Sequence, residues 1–123
     1  MSYRILIVED EESLAAAFAE TLAALGYEVT IANDGYDALE KVIAGRFDLI
    51  TMDLRLPRMN GIQATELIMH RRKPTPVIVI SGYVLRHEEE LERLGIRYVL
   101  QKPVDLELLS STIARAIEES RGK

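Results

Sequence analysis

The sequence contains no cysteine, which excludes disulfide scaffolds, thiolate metal sites and thiol catalysis together. Long hydrophobic runs are also missing. Stretches such as Val77-Ile78-Val79-Ile80 fall far short of the ~20 residues that span a bilayer, so no membrane role is expected. The opening Met1-Ser2-Tyr3-Arg4, followed by Ile5-Leu6-Ile7-Val8 and then acids, is not a signal peptide. Basic residues are in deficit. Twenty Asp and Glu against fifteen Lys and Arg leave a net charge of −5, the wrong sign for generic nucleic-acid binding. No G-x-x-x-x-G-K-[ST] occurs, which excludes a P-loop nucleotide enzyme. What remains is a chain of 123 residues, 48% hydrophobic and 28% charged, without repeats, low-complexity tracts or linkers. Those figures fit one globular domain over residues 1–123, read as soluble and cytoplasmic.

Two apolar periods alternate along the chain. Short β-branched blocks recur at Ile5 to Val8, Tyr27 to Ala32, Leu49 to Met52, Val77 to Ile80 and Tyr98 to Leu100. Between them run helical spacings: Leu14, Phe18, Leu22 and Leu25; Leu39, Val42 and Ile43; Ile62, Leu67 and Ile68; and finally Leu106, Leu109, Ile113 and Ile117. These stripes are expected in the core. Gly26, Gly45 and Gly95 each follow a helical stretch, where a left-handed cap is expected, and Asp34 and Asp105 stand at N-cap positions. The fourth helix is the weakest, because His87-Glu88-Glu89-Glu90 is followed only by Leu91 and Leu94 as an apolar face. It is expected to be short and comparatively mobile. The tail from Glu118 to Lys123 is expected to fray. Five strand–helix units in strict alternation, joined by right-handed crossovers, make an α/β fold: an open parallel sheet with helices on both faces.

The strand ends carry the chemistry. Glu9-Asp10-Glu11-Glu12 follows the first strand, Asp53 ends the third, Ser81 follows the fourth, and Lys102-Pro103 follows the fifth. In a parallel sheet all C-terminal ends lie on one edge, and ligands bind there where the strand order reverses. Glu9, Asp10, Asp53, Ser81 and Lys102 are therefore expected to converge. Three carboxylates crowded together repel, and a hard divalent cation with oxygen ligands, of which Mg²⁺ is the natural choice, relieves that repulsion. Lys102 adds a point charge and Ser81 a hydroxyl, a set suited to a tetrahedral oxyanion beside a metal, as in phosphoryl transfer. An aspartate carboxylate is itself a competent nucleophile toward phosphorus.

Val8-Glu9-Asp10-Glu11, Met52-Asp53-Leu54-Arg55-Leu56-Pro57, Asn60-Gly61, Ile80-Ser81-Gly82 and Gln101-Lys102-Pro103, in this order and spacing, resemble a response-regulator receiver domain of two-component signalling, a CheY-like fold. The likeness runs from about Tyr3 to Ser120. It implies a doubly wound five-stranded parallel sheet in the order 2-1-3-4-5, a flavodoxin-like three-layer sandwich with five helices. It further implies that Asp53 accepts a phosphoryl group from a phosphohistidine, the partner being a sensor histidine kinase or phosphotransfer protein. Mg²⁺ or Mn²⁺ would be held by Asp10, Asp53 and the main-chain carbonyl of Arg55, with Glu9 acting through water. Ser81 and Lys102 would contact the phosphoryl oxygens, and the peptide before Pro103 would be cis, which proline permits at roughly 0.5–1 kcal/mol. The fourth helix, fifth strand and last helix form the implied readout face, either as a homodimer contact or as a partner dock. One departure is clear. Receivers commonly hold Tyr or Phe three residues before the lysine, whereas this chain has Val99 there and Tyr98 one place earlier, on the opposite sheet face. Valine has little rotamer swing, so the signal is expected to pass through the backbone from Ser81 to about Leu94, with Tyr98 a bystander.

Each residue also has a plainer reading. Asp53 alone would serve as a turn former, Glu9 and Asp10 as helix-initiating acids, Ser81-Gly82 as a turn, and Lys102 as a surface lysine. Pro57 and Asn60-Gly61 shape the loop after Asp53. His70-Arg71-Arg72-Lys73 is read as complementing a helix dipole, and His87 as a solvated loop residue. Two rival functions remain to be weighed against a phosphorylation switch. A receiver-like adaptor independent of phosphorylation would not need the intact acceptor set, and a flavin-binding protein would want a hydroxyl- and glycine-rich loop where four acids stand. An aspartate-based phosphatase would want a second Asp where Arg55 lies.

Overall fold

The computed structural model describes residues 2–71, 73–82 and 86–121. Arg72 of the basic run, residues 83–85 of the expected signalling stretch, and Gly122-Lys123 of the tail lie outside them. The elements are β1 (Arg4–Val8), α1 (Glu12–Ala24), β2 (Glu28–Ala32), α2 (Gly35–Ala44), β3 (Leu49–Met52), α3 (Gly61–Met69), β4 (Val77–Ser81), α4 (Glu88–Arg93), β5 (Tyr98–Gln101) and α5 (Leu106–Arg121). All strand pairings are parallel, in the order β2-β1-β3-β4-β5.

The period-two alternation of the strands divides the core between two faces. Leu6, Val8, Ile50, Met52, Val77 and Val79 point to one side, where Ala38 and Val42 of α2, Ala64 and Ile68 of α3, and Leu91 of α4 meet them. Ile5, Ile7, Leu49, Ile78 and Ile80 point to the other, against Phe18 and Leu22 of α1 and Leu109, Ile113 and Ile117 of α5. Strands buried on both faces read as continuous apolar runs, which is why β1, β3 and β4 are dense in Ile, Val and Leu. Phe18 is 1% exposed, and cutting it back to Ala would cost about 3–5 kcal/mol.

Local signals account for the helix starts. The Asp34 side chain accepts from Asp37 N–H at 2.8 Å to cap α2, and Asp105 Oδ1 accepts from Glu107 N–H at 2.9 Å. Asn60 and Gln63 form a reciprocal capping box at the start of α3. Gly26 and Gly95 take positive φ, as expected after a helix. Gly45 does not. It is extended at φ −138°, because α2 ends on an ordinary bond to the Lys41 carbonyl and the chain leaves straight.

Three further expectations are corrected. Leu25, Ile43, Leu67 and Leu106 are exposed rather than core; Ile43, at 75%, sits one 100° step past the buried Val42, so a narrow seam against the sheet cannot take both. The last helix does not fray at Glu118 but runs to Arg121, whose guanidinium stacks on the Tyr3 ring and donates to its hydroxyl. The basic run begins at the C-cap His70 and so follows α3 rather than forming its last turn. The fourth helix is short, six residues with Leu91 as its buried anchor.

Candidate functional site

The strand order turns back between β1 and β3, and the chain ends of these two strands open a crevice of about 750 Å³ lined by Glu9, Asp10, Asp53, Arg55 and Lys102 among others. Glu9 and Asp53 enter it directly from β1 and β3, whose register pairs Val8 with Met52. Lys102 arrives from the far side of the sheet, at the end of β5.

Lys102 ties the site together. Its ammonium donates to Glu9 Oε1 at 2.8 Å and to Asp53 Oδ2 at 3.0 Å. Both carboxylates are buried, Glu9 at 2% exposure and Asp53 at 6%. Glu9 also accepts from the Glu11 N–H at 3.2 Å, and Asp53 from the Arg55 N–H at 3.2 Å. Burial pushes the Glu9 carboxyl above its ordinary range, and the neighbouring Asp53 charge adds to this, while the Lys102 hydrogen bond opposes it. Burial works against the Lys102 ammonium too, but its bonds to Glu9 and Asp53 outweigh that and hold it above the usual lysine range. Lysine thus acts as the internal counter-ion of a buried acidic pair.

Glu9, Asp10 and Asp53 can each bring a carboxylate oxygen within 4.8 Å of the others. An all-oxygen set of this kind suits a hard divalent cation that keeps part of its water shell. Asp10 is exposed, and so reaches the site from the solvent side. Arg55 lines the crevice beside it. Ser81 is fully buried at the end of β4, its carbonyl accepting from Lys102 N–H at 3.1 Å, and Gly82 after it borders the crevice. The Lys102–Pro103 peptide is cis.

Two features escaped the sequence. His87, expected as a solvated loop residue, stands just before α4 but is partly buried and borders the crevice; its Nδ1 lies 3.1 Å from Glu90 Oε1. No local pattern marks it, because its place beside the crevice is set by packing through space. Arg58 is the second: it forms a two-pronged bond to Asp34, 24 residues earlier. Asp34 was legible as a cap, but nothing in the spacing named its distant partner.

A doubly wound parallel sheet with a lysine-bridged acidic crevice at its switch point places the chain in the open α/β class, whose members bind ligands at that edge. The chain matches the family described as the response regulator receiver domain over residues 5–114. Regulator of RpoS from Escherichia coli K12 is 40% identical over 102 residues, covering 82% of this chain and 30% of that protein. Transcriptional regulatory protein ZraR from Klebsiella oxytoca is 34% identical over 119 residues, 95% of this chain and 27% of that protein. The chain spans about a third of the length of the curated relatives it matches, or less. Among solved structures, a CheY-like receiver domain protein from Methanospirillum hungatei JF-1 superposes with a TM-score of 0.95 at 28% identity, over 99% of this chain and 98% of that one. Response regulator TrrA of Thermotoga maritima, solved in complex with Mg(2+)-BeF, gives 0.84 at 26% identity over 94% and 99%. The chain belongs to the response regulator receiver domain family.

Proposed function

We propose that Asp53 is the phosphoacceptor of this receiver, drawing its phosphoryl group from a phosphohistidine on a sensor histidine kinase or phosphotransfer protein. The observation that carries this reading is the Lys102 ammonium bonded to both Asp53 and Glu9, with Asp10 close by in the same carboxylate group. Mg²⁺, or Mn²⁺ in its place, would be held by Asp10, Asp53 and the Arg55 main-chain carbonyl, with Glu9 acting through water, and supplies positive charge where the phosphoryl oxygens gather.

A carboxylate oxygen of Asp53 attacks phosphorus, the P–N bond breaks, and its electron pair stays on the imidazole nitrogen, which takes up a proton. Lys102 is already within hydrogen-bond reach of Asp53 and moves from the carboxylate to the new phosphoryl oxygens as their charge appears. Water later attacks the phosphorus of the acyl phosphate, the P–O bond to Asp53 breaks, and inorganic phosphate leaves as the carboxylate is restored, so the domain assists its own loading and unloading and turns over no separate substrate. The adaptor alternative leaves the whole acceptor set without a use.

The phosphoryl group adds about −1.5 to −2 charge at the strand ends. Converting a mostly inactive population to a mostly active one takes roughly 5.5 kcal/mol of differential stabilisation. A single charge-assisted bond from Ser81, roughly 1.5–3 kcal/mol, falls short of that, so Lys102 must contribute. Val99 packs on the α4 side of the sheet and Tyr98 on the α5 side, which supports transmission through the Ser81–Leu94 backbone to an α4-β5-α5 readout face, a homodimer contact or partner dock. The net charge of −5 supports a protein partner over direct nucleic-acid contact.

Acetyl phosphate with Mg²⁺ and intact-mass measurement tests the assignment. Wild type gains one phosphoryl group and Asp53→Asn gains none; equal labelling of the two overturns it.

A further inference from the structure

The loop from β3 to α3 carries the Arg55 carbonyl and bends back at an unusual turn. The Met59 N–H donates to the Pro57 carbonyl at 2.8 Å, closing a three-residue turn around Arg58. Arg58 sits at φ 66°, the one non-glycine residue with positive φ among the described residues. A γ-turn of this hand is rare and strained for an L-residue, and such a conformation persists only when its surroundings impose it.

Those surroundings are the first turn of α2. The Arg58 Nε donates to Asp34 Oδ2 at 3.0 Å and Nη2 to Oδ1 at 3.1 Å, a fork on the carboxylate that already caps the helix. The guanidinium lies over the Tyr36 ring, 5.3 Å from its centroid. Between these two residues Gly35 admits the Met59 backbone so closely that a Cβ there would collide with the Met59 carbonyl oxygen and lie 2.7 Å from its Cβ. Three consecutive residues, the N-cap Asp34 and the first two of α2, thus grip the apex of the loop. Its two ends are fixed separately. The Gly61 N–H donates to the Leu54 carbonyl at 2.9 Å, and the capping box secures Asn60.

We propose that the Arg58–Asp34 pair is a latch that holds the β3–α3 loop in its bent form and so positions the Arg55 carbonyl for the divalent cation. Arg58 is a positioning residue, three places from the carbonyl it serves. This rests on the metal reading of the Glu9, Asp10, Asp53 and Arg55 set. Opening the latch lets Arg58 leave its left-handed conformation, and the carbonyl then samples a wider range of positions. Because the pair lies at the surface, the effect on cation affinity is a factor of about two to five, and it shrinks with added salt.

Two variants separate latch from strain and from capping. Arg58→Gly relieves the backbone but removes the fork; Asp34→Asn keeps a good N-cap but removes the charge. Mg²⁺ affinity is read by NMR titration, and loop order by amide exchange of residues 54–59 in the metal-free protein. Both variants are expected to weaken Mg²⁺ by about two- to fivefold and to speed exchange, with the double variant no worse than either alone. Unaltered exchange and affinity in Arg58→Gly, or fully additive losses in the double variant, overturn the latch. Asp53→Asn is the reference. If it weakens Mg²⁺ while the two latch variants do not, the latch alone is wrong; if it does not, the metal reading falls and the latch with it.

Discussion

Replacing Lys102 with Met keeps a long unbranched stem and removes the ammonium that serves both Glu9 and Asp53. In the metal-free protein this leaves two buried carboxylates facing each other without a counter-ion. Removing one partner of a buried ion pair costs about 3–5 kcal/mol. The Lys102 side chain keeps 23% of its surface in solvent, which favours the lower end, about 3 kcal/mol. At about 2.1 cal/mol/K of unfolding entropy per residue, that loss lowers the melting temperature of a 123-residue domain by about 12 °C. The pH dependence carries the stronger test. Burial raises the Glu9 carboxyl above its ordinary value of 4.5, and the Lys102 bond opposes that rise, so the variant raises it further. A carboxyl with a raised folded-state pKa keeps a proton that the unfolded chain has released. Its presence therefore erodes stability as pH climbs from the unfolded value through the folded one. The deficit of Lys102→Met is accordingly smaller at about pH 5 than at about pH 8, and Mg²⁺ recovers part of it at the higher pH by offsetting the same charges. Urea unfolding at both pH values, with and without Mg²⁺, measures this. A deficit that is flat with pH, or absent, would refute the counter-ion account.

Asp10→Asn weakens Mg²⁺ binding by about tenfold or more, the ~1.5–3 kcal/mol of one charged contact, and slows phosphorylation in step, while metal-free melting stays at or above wild type; unaltered Mg²⁺ affinity in a calorimetric titration removes Asp10 from the ligand set. Thr65 is fully buried and its hydroxyl has no partner among the described residues, so Thr65→Val should raise the urea midpoint, by about 1 kcal/mol of stability, and leave phosphorylation alone. Beryllofluoride with Mg²⁺ should change amide exchange along Ser81 to Leu94 and leave the Tyr98 side chain quiet; changes confined to the neighbours of Asp53 count against the backbone route.

Period and punctuation made the architecture legible in the chain. Alternating apolar blocks and helical stripes are local properties, and strict alternation of the two leaves a doubly wound parallel sheet as the natural solution. Strand-end chemistry was legible for the same reason: a parallel sheet gathers all its C-terminal ends on one edge, so Glu9, Asp53 and Lys102 meet however far apart they stand in sequence. The strand order that sets β1 beside β3 entered through the family motifs rather than the periodicity.

Tertiary structure alone decided which apolar residues of a stripe are covered. Ile43 and Leu67 satisfy helical spacing yet face outward, because the width of the seam depends on how each helix lies on the sheet. It also decided that Lys102 bridges two carboxylates at once, that His87 borders the crevice, and that Arg58 reaches Asp34. Each of these joins residues through space with no repeating spacing behind it. Periodicity reports how a segment faces its own axis, and only packing determines what stands opposite.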